Sequence, residues 1–181
     1  MIRFWAAAFC ALTFALPAAA GVEIAEVTSP GGLTAWLVEN HEIPFVALEI
    51  RFGGGASLDA PGKRGAINLM TGLLEEGSGN LDAKGFAEAA EALAAQFSFD
   101  VGNDTLAVSA KMLTEGRAAA VTLLRGALMQ PNFDPDALER VRGQVLSIID
   151  ADSRDADSIA SDTFARLAYG EHPYGGSLNG T

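Results

Sequence analysis

Apolar and polar residues alternate over residues 23–28 and again over 33–38, on either side of Ser29-Pro30-Gly31-Gly32, and a two-residue period around such a turn predicts a β-hairpin. A third stretch, 45–52, follows Pro44, which suits the start or edge of a strand because no ladder donor is lost there; it is expected to continue the same sheet. The period then lengthens. Residues 64–75 carry a helical pattern, and Asp82 is placed to cap a second helix running through Phe86, Ala90 and Leu93. Residues 96–100 and 105–112 read as strands joined at Val101-Gly102-Asn103-Asp104, a hairpin turn. Three helices follow: 115–129, stopped by Pro131; a second from Asp134-Pro135, with Asp as cap and Pro at the first helical position, to about Ala151; and 158–169. Five strands with helices grouped between and after them predict an α+β fold, a mainly antiparallel sheet covered on one face by helices.

The amino end does not belong to that pattern. Met1-Ile2-Arg3 precedes an apolar run from Phe4 to Leu16 and then Pro17-Ala18-Ala19-Ala20. A charged start, an apolar region too short to span a bilayer and a small-residue cleavage site read as a signal peptide, residues 1–20, removed after Ala20. The expected mature chain, 21–181, is an exported, periplasmic protein without a stable membrane anchor. Cys10 leaves with the signal, and bulky Phe9 before it is not a lipoprotein context, so disulfides and thiolate metal sites are excluded from the mature chain. With 12 basic against 23 acidic residues the formal net charge is −11, which disfavours nucleic acid or an anionic membrane as partner. The ending Ser177-Leu178-Asn179-Gly180-Thr181 reads as a loop, so the 21–181 domain is expected to be incomplete at its carboxyl end.

Within the first predicted helix, Asn68, Thr71 and Gly72 stand at positions i, i+3 and i+4. Residues four apart share a helix face, so histidines at the outer two could both turn a ring nitrogen to one Zn²⁺ while a glutamate between them held the attacking water. The inverted zincin motif His-x-x-Glu-His is built that way. Here a carboxamide, a hydroxyl and an absent side chain take those places, and no such chemistry remains.

The surroundings of those positions resemble the pitrilysin-like (M16) metallopeptidases, a family that includes the insulinases and the mitochondrial processing peptidases. The resemblance rests on the strand 45–52 leading into Gly53-Gly54-Gly55-Ala56-Ser57, on Gly65 opening the helix, and on Leu73-Leu74 with the Gly77-Ser78 exit. It continues through Phe97-Ser98-Phe99, Leu106-Ala107-Val108-Ser109 and Pro131-Asn132-Phe133, and so spans nearly the whole mature chain. In active members a glutamate about one helix pair later is the third zinc ligand. The resemblance places it at Ser147, or at Ile148 if the register slips by one, and neither supplies a carboxylate. It therefore implies a half-domain of the M16 metallohydrolase type that has lost its ligands and its general base. Families of this kind include heterodimers in which such a chain pairs with a zinc-bearing M16 subunit and completes the chamber that holds peptide substrates, so the resemblance implies zinc in the partner and none in this chain.

The other candidates favour plainer readings. Asn68, Thr71 and Gly72 alone would also suit an ordinary helix whose small face packs on a neighbour. His41 and His172, the only histidines, fall in a turn and a loop and are read as surface residues; Glu171-His172-Pro173-Tyr174-Gly175 resembles a structural loop of the same family. Glu75 and Glu76 lack a metal or electrophile to work with and read as helix-end surface charges. Asp150, Asp152, Asp155, Asp157 and Asp162 lack the glycine and terminal glutamate of a calcium loop and read as a solvated helix junction. Gly53-Gly54-Gly55 is not a phosphate loop, since no Gly-Lys-Ser or Gly-Lys-Thr follows it, and is expected to turn the chain off the strand. Three functions follow from this reading. One is a non-catalytic M16-type subunit in the periplasm, gripping peptides along the edge of strand 45–52. The others are a stand-alone periplasmic peptide-binding or scaffold protein, and an active zinc peptidase with an atypical site.

Overall fold

The computed structural model describes residues 22–180, and the predicted signal peptide lies outside them. The chain divides into two units, at Ile43 and Pro44. In the first, β1 (Ala25–Thr28) and β2 (Thr34–Leu37) pair antiparallel from Ala25↔Leu37 to Thr28↔Thr34. The turn closes through the Ser29 amide on the Leu33 carbonyl (2.8 Å), with Gly32 at φ +84°. That positive φ is what glycine supplies at no steric cost.

The second unit is built on a separate sheet. Strands β3 (Phe45–Gly53), β6 (Gln96–Val101) and β7 (Thr105–Leu113) form it in the order β3-β7-β6, all antiparallel. This corrects the expectation that 45–52 continues the hairpin sheet. All nine residues of β3 find a partner on β7, from Phe45↔Leu113 to Gly53↔Thr105. The Thr114 amide extends the ladder to the Pro44 carbonyl at 3.0 Å. A further strand pair escaped the sequence pattern, β4 (Gly77–Ser78) with β5 (Leu81–Asp82), each only two residues long.

Among the described residues five α-helices accompany the sheet: α1 (Ala66–Gly72), α2 (Ala83–Ala92), α3 (Arg117–Met129), α4 (Pro135–Asp152) and α5 (Ala156–Tyr169). None of them is long and apolar enough to cross a membrane. Alternation along β7 sends Val108, Ala110 and Met112 into a core with Ala95 and with Ala120 and Leu124 of α3. Phe86, Leu123 and Ala127 bind α2 to α3 in a neighbouring cluster. The opposite face of the sheet carries exposed Glu49, Arg51, Asp100 and Lys111. The architecture is thus α+β, with helices on one face of an antiparallel sheet.

The two predicted caps are made, and the structure adds a third at Asp155. The Asp82 carboxylate accepts from the Gly85 amide (2.7 Å), Asp134 from Asp136 (2.9 Å), and Asp155 from Ser158 (2.8 Å). The first helix is shorter than the expected 64–75. Gly65, at φ +93°, cannot be helical, and Asp59 caps the helix from upstream by accepting from the amides of Gly65 (2.8 Å) and Ile67 (3.0 Å). At its other end the turns tighten, with the Leu73 amide on Met70 and the Leu74 amide on Thr71.

Candidate degenerate metal site

Helix α1 presents the three motif positions, and each is committed to something other than a ligand. Asn68 donates from its carboxamide nitrogen to Asn179 Oδ1 at 3.0 Å. Thr71 is 3% exposed, and its hydroxyl donates back to the Ile67 carbonyl at 2.7 Å, the i−4 bond open to a helical threonine. Gly72 stands close to α4: a Cβ placed on it would lie 3.1 Å from Val141 Cγ1, tighter than ordinary contact. Around that point Leu73, Ala137 and Val141 form a buried cluster with Leu69 and Leu138 packed against it.

Ser147 is not brought to this face. It lies on α4, exposed, with its hydroxyl on the Gly143 carbonyl at 2.9 Å. At about 100° per residue, Ser147 is rotated roughly 120° from the Val141 stripe that meets α1, whereas Ile148 falls within about 20° of it. Of the two registers, helical phase therefore puts Ile148 on the same side as the motif helix. A carboxamide, an internally bonded hydroxyl, a glycine and a hydroxyl or an alkyl chain do not fit zinc, which takes thiolate, imidazole or carboxylate. Among the described residues no group of three His, Cys, Asp or Glu side chains could hold a metal ion.

The acidic residues beside the motif do more than decorate a helix end. Glu76, with its side chain 19% exposed, pairs with Arg140 and so ties the exit of α1 to α4. The Glu75 carboxyl is pushed above the ordinary carboxylate range, first by burial and then by the charges of Glu76 and Asp100. Asp150 pairs with Arg154 at 2.6 Å, and amide donation from Ser158 holds the Asp155 carboxyl below the usual range. His41 is exposed beside Glu39 (3.7 Å). His172 accepts the Tyr174 amide at Nδ1 (3.3 Å), and its ring meets the Tyr174 ring edge-on.

Sequence reasoning missed Arg64. Its guanidinium donates to the carbonyls of Ser177 (2.8 Å), Gly176 (2.9 Å) and Ala56, and to Asn103 Oδ1 (3.2 Å), which joins segments more than a hundred residues apart. No local pattern signals such a hub. Two open concavities lie elsewhere, one of about 600 Å³ on the exposed sheet face around Glu49, Gln96 and Lys111, and one of about 400 Å³ between α2 and α3 around Ser78, Leu123 and Gly126. Neither is lined by Asn68, Thr71, Gly72 or Ser147.

Residues 35–181 match the sequence model described as Insulinase (Peptidase family M16). The chain is 32% identical over 143 residues to a protein named non-peptidase homolog YmxG from Helicobacter pylori, covering 79% of this chain and 33% of that protein. It is 23% identical over 158 residues to an uncharacterized zinc protease YmxG from Bacillus subtilis, covering 87% and 39%. Among solved structures, a peptidase M16 inactive domain from Pseudomonas fluorescens superposes with a TM-score of 0.81 at 26% identity, over 88% of this chain and 39% of that one. A protease from Helicobacter pylori shares the fold, with a TM-score of 0.77 at 17% identity over 89% and 39%. The chain thus spans between a third and two-fifths of the length of these relatives.

Proposed function

The chain belongs to peptidase family M16, and from that premise we propose that it serves as a non-catalytic M16 subunit or domain in the periplasm, supporting peptide binding beside a zinc-bearing M16 partner. One observation carries the reading: the helix that would hold two ligands and the general base offers Asn68, Thr71 and Gly72, with the threonine hydroxyl bonded to its own helix and the glycine packed on Val141. Hydrolysis needs a polarised water, and nothing at this face polarises one. The Helicobacter relative named as a non-peptidase homolog and the Pseudomonas inactive domain support the same direction.

Peptide binding would use backbone rather than pockets. Within its own unit β3 has a single neighbour, β7, so its other edge over 45–53 is not used by that unit's sheet. An extended peptide can add there as a strand, with affinity from the ladder and tolerance of many sequences. β6 offers a second free edge, closer to the motif helix. The contribution of this chain to an assembly would be wall surface and grip.

Co-purification tests the assignment. Processed protein isolated from its native host should bring with it a chain holding an intact His-x-x-Glu-His, and chelator-sensitive peptidase activity should follow the complex and not the isolated chain. Isolation as a lone species would favour a stand-alone binding protein. Chelator-sensitive cleavage by the lone chain would overturn the proposal. Amino-terminal sequencing starting at Gly21 would fix the export signal.

A further inference from the structure

The segment after α5 makes an unusual set of contacts for a loop. Gly170, at φ +56° in open surroundings, turns the chain out of α5, and Pro173–Gly175 forms one short 3₁₀ turn. From there to Gly180 the chain is fastened at three places. Tyr174 donates its hydroxyl to Asp104 in the β6–β7 turn. The carbonyls of Gly176 and Ser177 accept from Arg64. Asn179 accepts from Asn68, and here the two backbones nearly touch: a Cβ on Gly65 would lie 2.6 Å from the Asn179 carbonyl oxygen, and one on Gly180 would lie 2.5 Å from that of Arg64.

All three fastenings are polar, and none of the three buried apolar clusters includes a residue from 173 to 180. Beyond the edge-on contact of Tyr174 with Tyr169 of α5, the segment is held by hydrogen bonds and close backbone fit, and without a share in the core it opens at lower free energy than the sheet it rests on. While it is seated, Asn179 covers Asn68, the one motif position whose side chain points to another part of the chain. We propose that residues 173–180 are a strap that closes over the amino end of α1 as a separately opening unit, latched by Arg64, and that its release exposes the Asn68 face. The strap stands on these contacts alone and does not depend on the assignment of a zinc-bearing partner.

Hydrogen exchange followed by mass spectrometry on the mature chain tests it, with Arg64→Ala, Arg64→Lys and Asn179→Ala beside the wild type. Peptides covering 173–180 should be protected in the wild type. They should exchange about tenfold faster in Arg64→Ala, the loss expected for charge-assisted hydrogen bonds to a carbonyl pair. Peptides of β7 should change less than about twofold, because the strap takes no part in the core. Arg64→Lys, which keeps the charge and loses the fork, should fall between. Two results would overturn the strap: rapid exchange of 173–180 in the wild type, or equal acceleration of 173–180 and β7. Should Arg64→Ala fail to fold, Asn179→Ala carries the same comparison, since it removes only the Asn68 contact.

Discussion

Rebuilding the zinc motif is the most demanding test of the degenerate-site reading, and Thr71→Glu is its critical step. Thr71 is 3% exposed and its only polar contact is to its own helix, so a carboxyl placed there has no basic partner. Burial of that kind raises a carboxyl by about 3–5 pKa units, and each unit corresponds to about 1.4 kcal/mol. The ionised form is therefore expected to cost the fold about 4–7 kcal/mol, a large part of a typical domain's stability. Gly72→His adds a smaller cost, since the new Cβ would crowd Val141 Cγ1 at 3.1 Å. Urea denaturation of Thr71→Glu, read against Thr71→Gln, separates charge from volume. A group whose folded pKa is raised gives stability that is whole below its unfolded value and lost as pH rises through the folded value. The Glu variant should therefore match the Gln variant near pH 4 and fall progressively below it towards neutral pH. Zinc should not rescue the triple variant Asn68→His, Thr71→Glu, Gly72→His, because two imidazoles leave the site without its third protein ligand. Addition of Ile148→Glu should give more zinc-dependent stabilisation than addition of Ser147→Glu, as helical phase requires. Stoichiometric zinc or peptidase activity in the triple variant alone would refute the reasoning.

Three simpler perturbations probe the frame around the motif. Glu75→Gln removes a carboxyl whose ionisation burial disfavours, so the variant should gain stability relative to the wild type as pH rises from the ordinary glutamate range through the raised value, with no further change above it; denaturation midpoints from pH 4 to 8 show this. Leu73→Ala opens the cluster with Ala137 and Val141 and should cost about 2–5 kcal/mol by urea denaturation. Gly65→Ala meets both a positive φ and the Asn179 carbonyl, and should destabilise by more than the roughly 1 kcal/mol of helix propensity that alanine would otherwise supply.

Local rules carried the sequence a long way. Alternation along β7, the Asp82 and Asp134 caps and the Gly-Asn-Asp turn are each set within a few residues, so each is legible without the fold. Asn68, Thr71 and Gly72 share a helix face by spacing alone. What could not be read depends on contacts far apart in the chain. Asp59 caps a helix it does not adjoin, and Arg64 reaches 112 and 113 residues ahead. The nine-residue register of β3 on β7 joins segments about sixty residues apart, which alternation in β3 cannot reveal. The choice between Ser147 and Ile148 likewise needed the stripe of α4 that faces α1, which Val141 identifies only once the helices are packed.

That stripe also explains how the helix pair keeps together without a metal. A zinc ion gripped from two helices is a cross-link, and its loss would leave α1 and α4 joined only by what they bury. Here Leu73, Ala137 and Val141 exclude water along the seam, Gly72 lets the backbones approach to a distance that a Cβ would already crowd, and Glu76 pairs with Arg140 at its edge. A histidine at position 72 would press its Cβ on Val141, and a carboxylate at position 71 would be buried with no charge to meet it. The packed seam and the metal site are therefore alternatives on one helix face, and single substitutions toward the zincin pattern should lower stability before they offer any ligand.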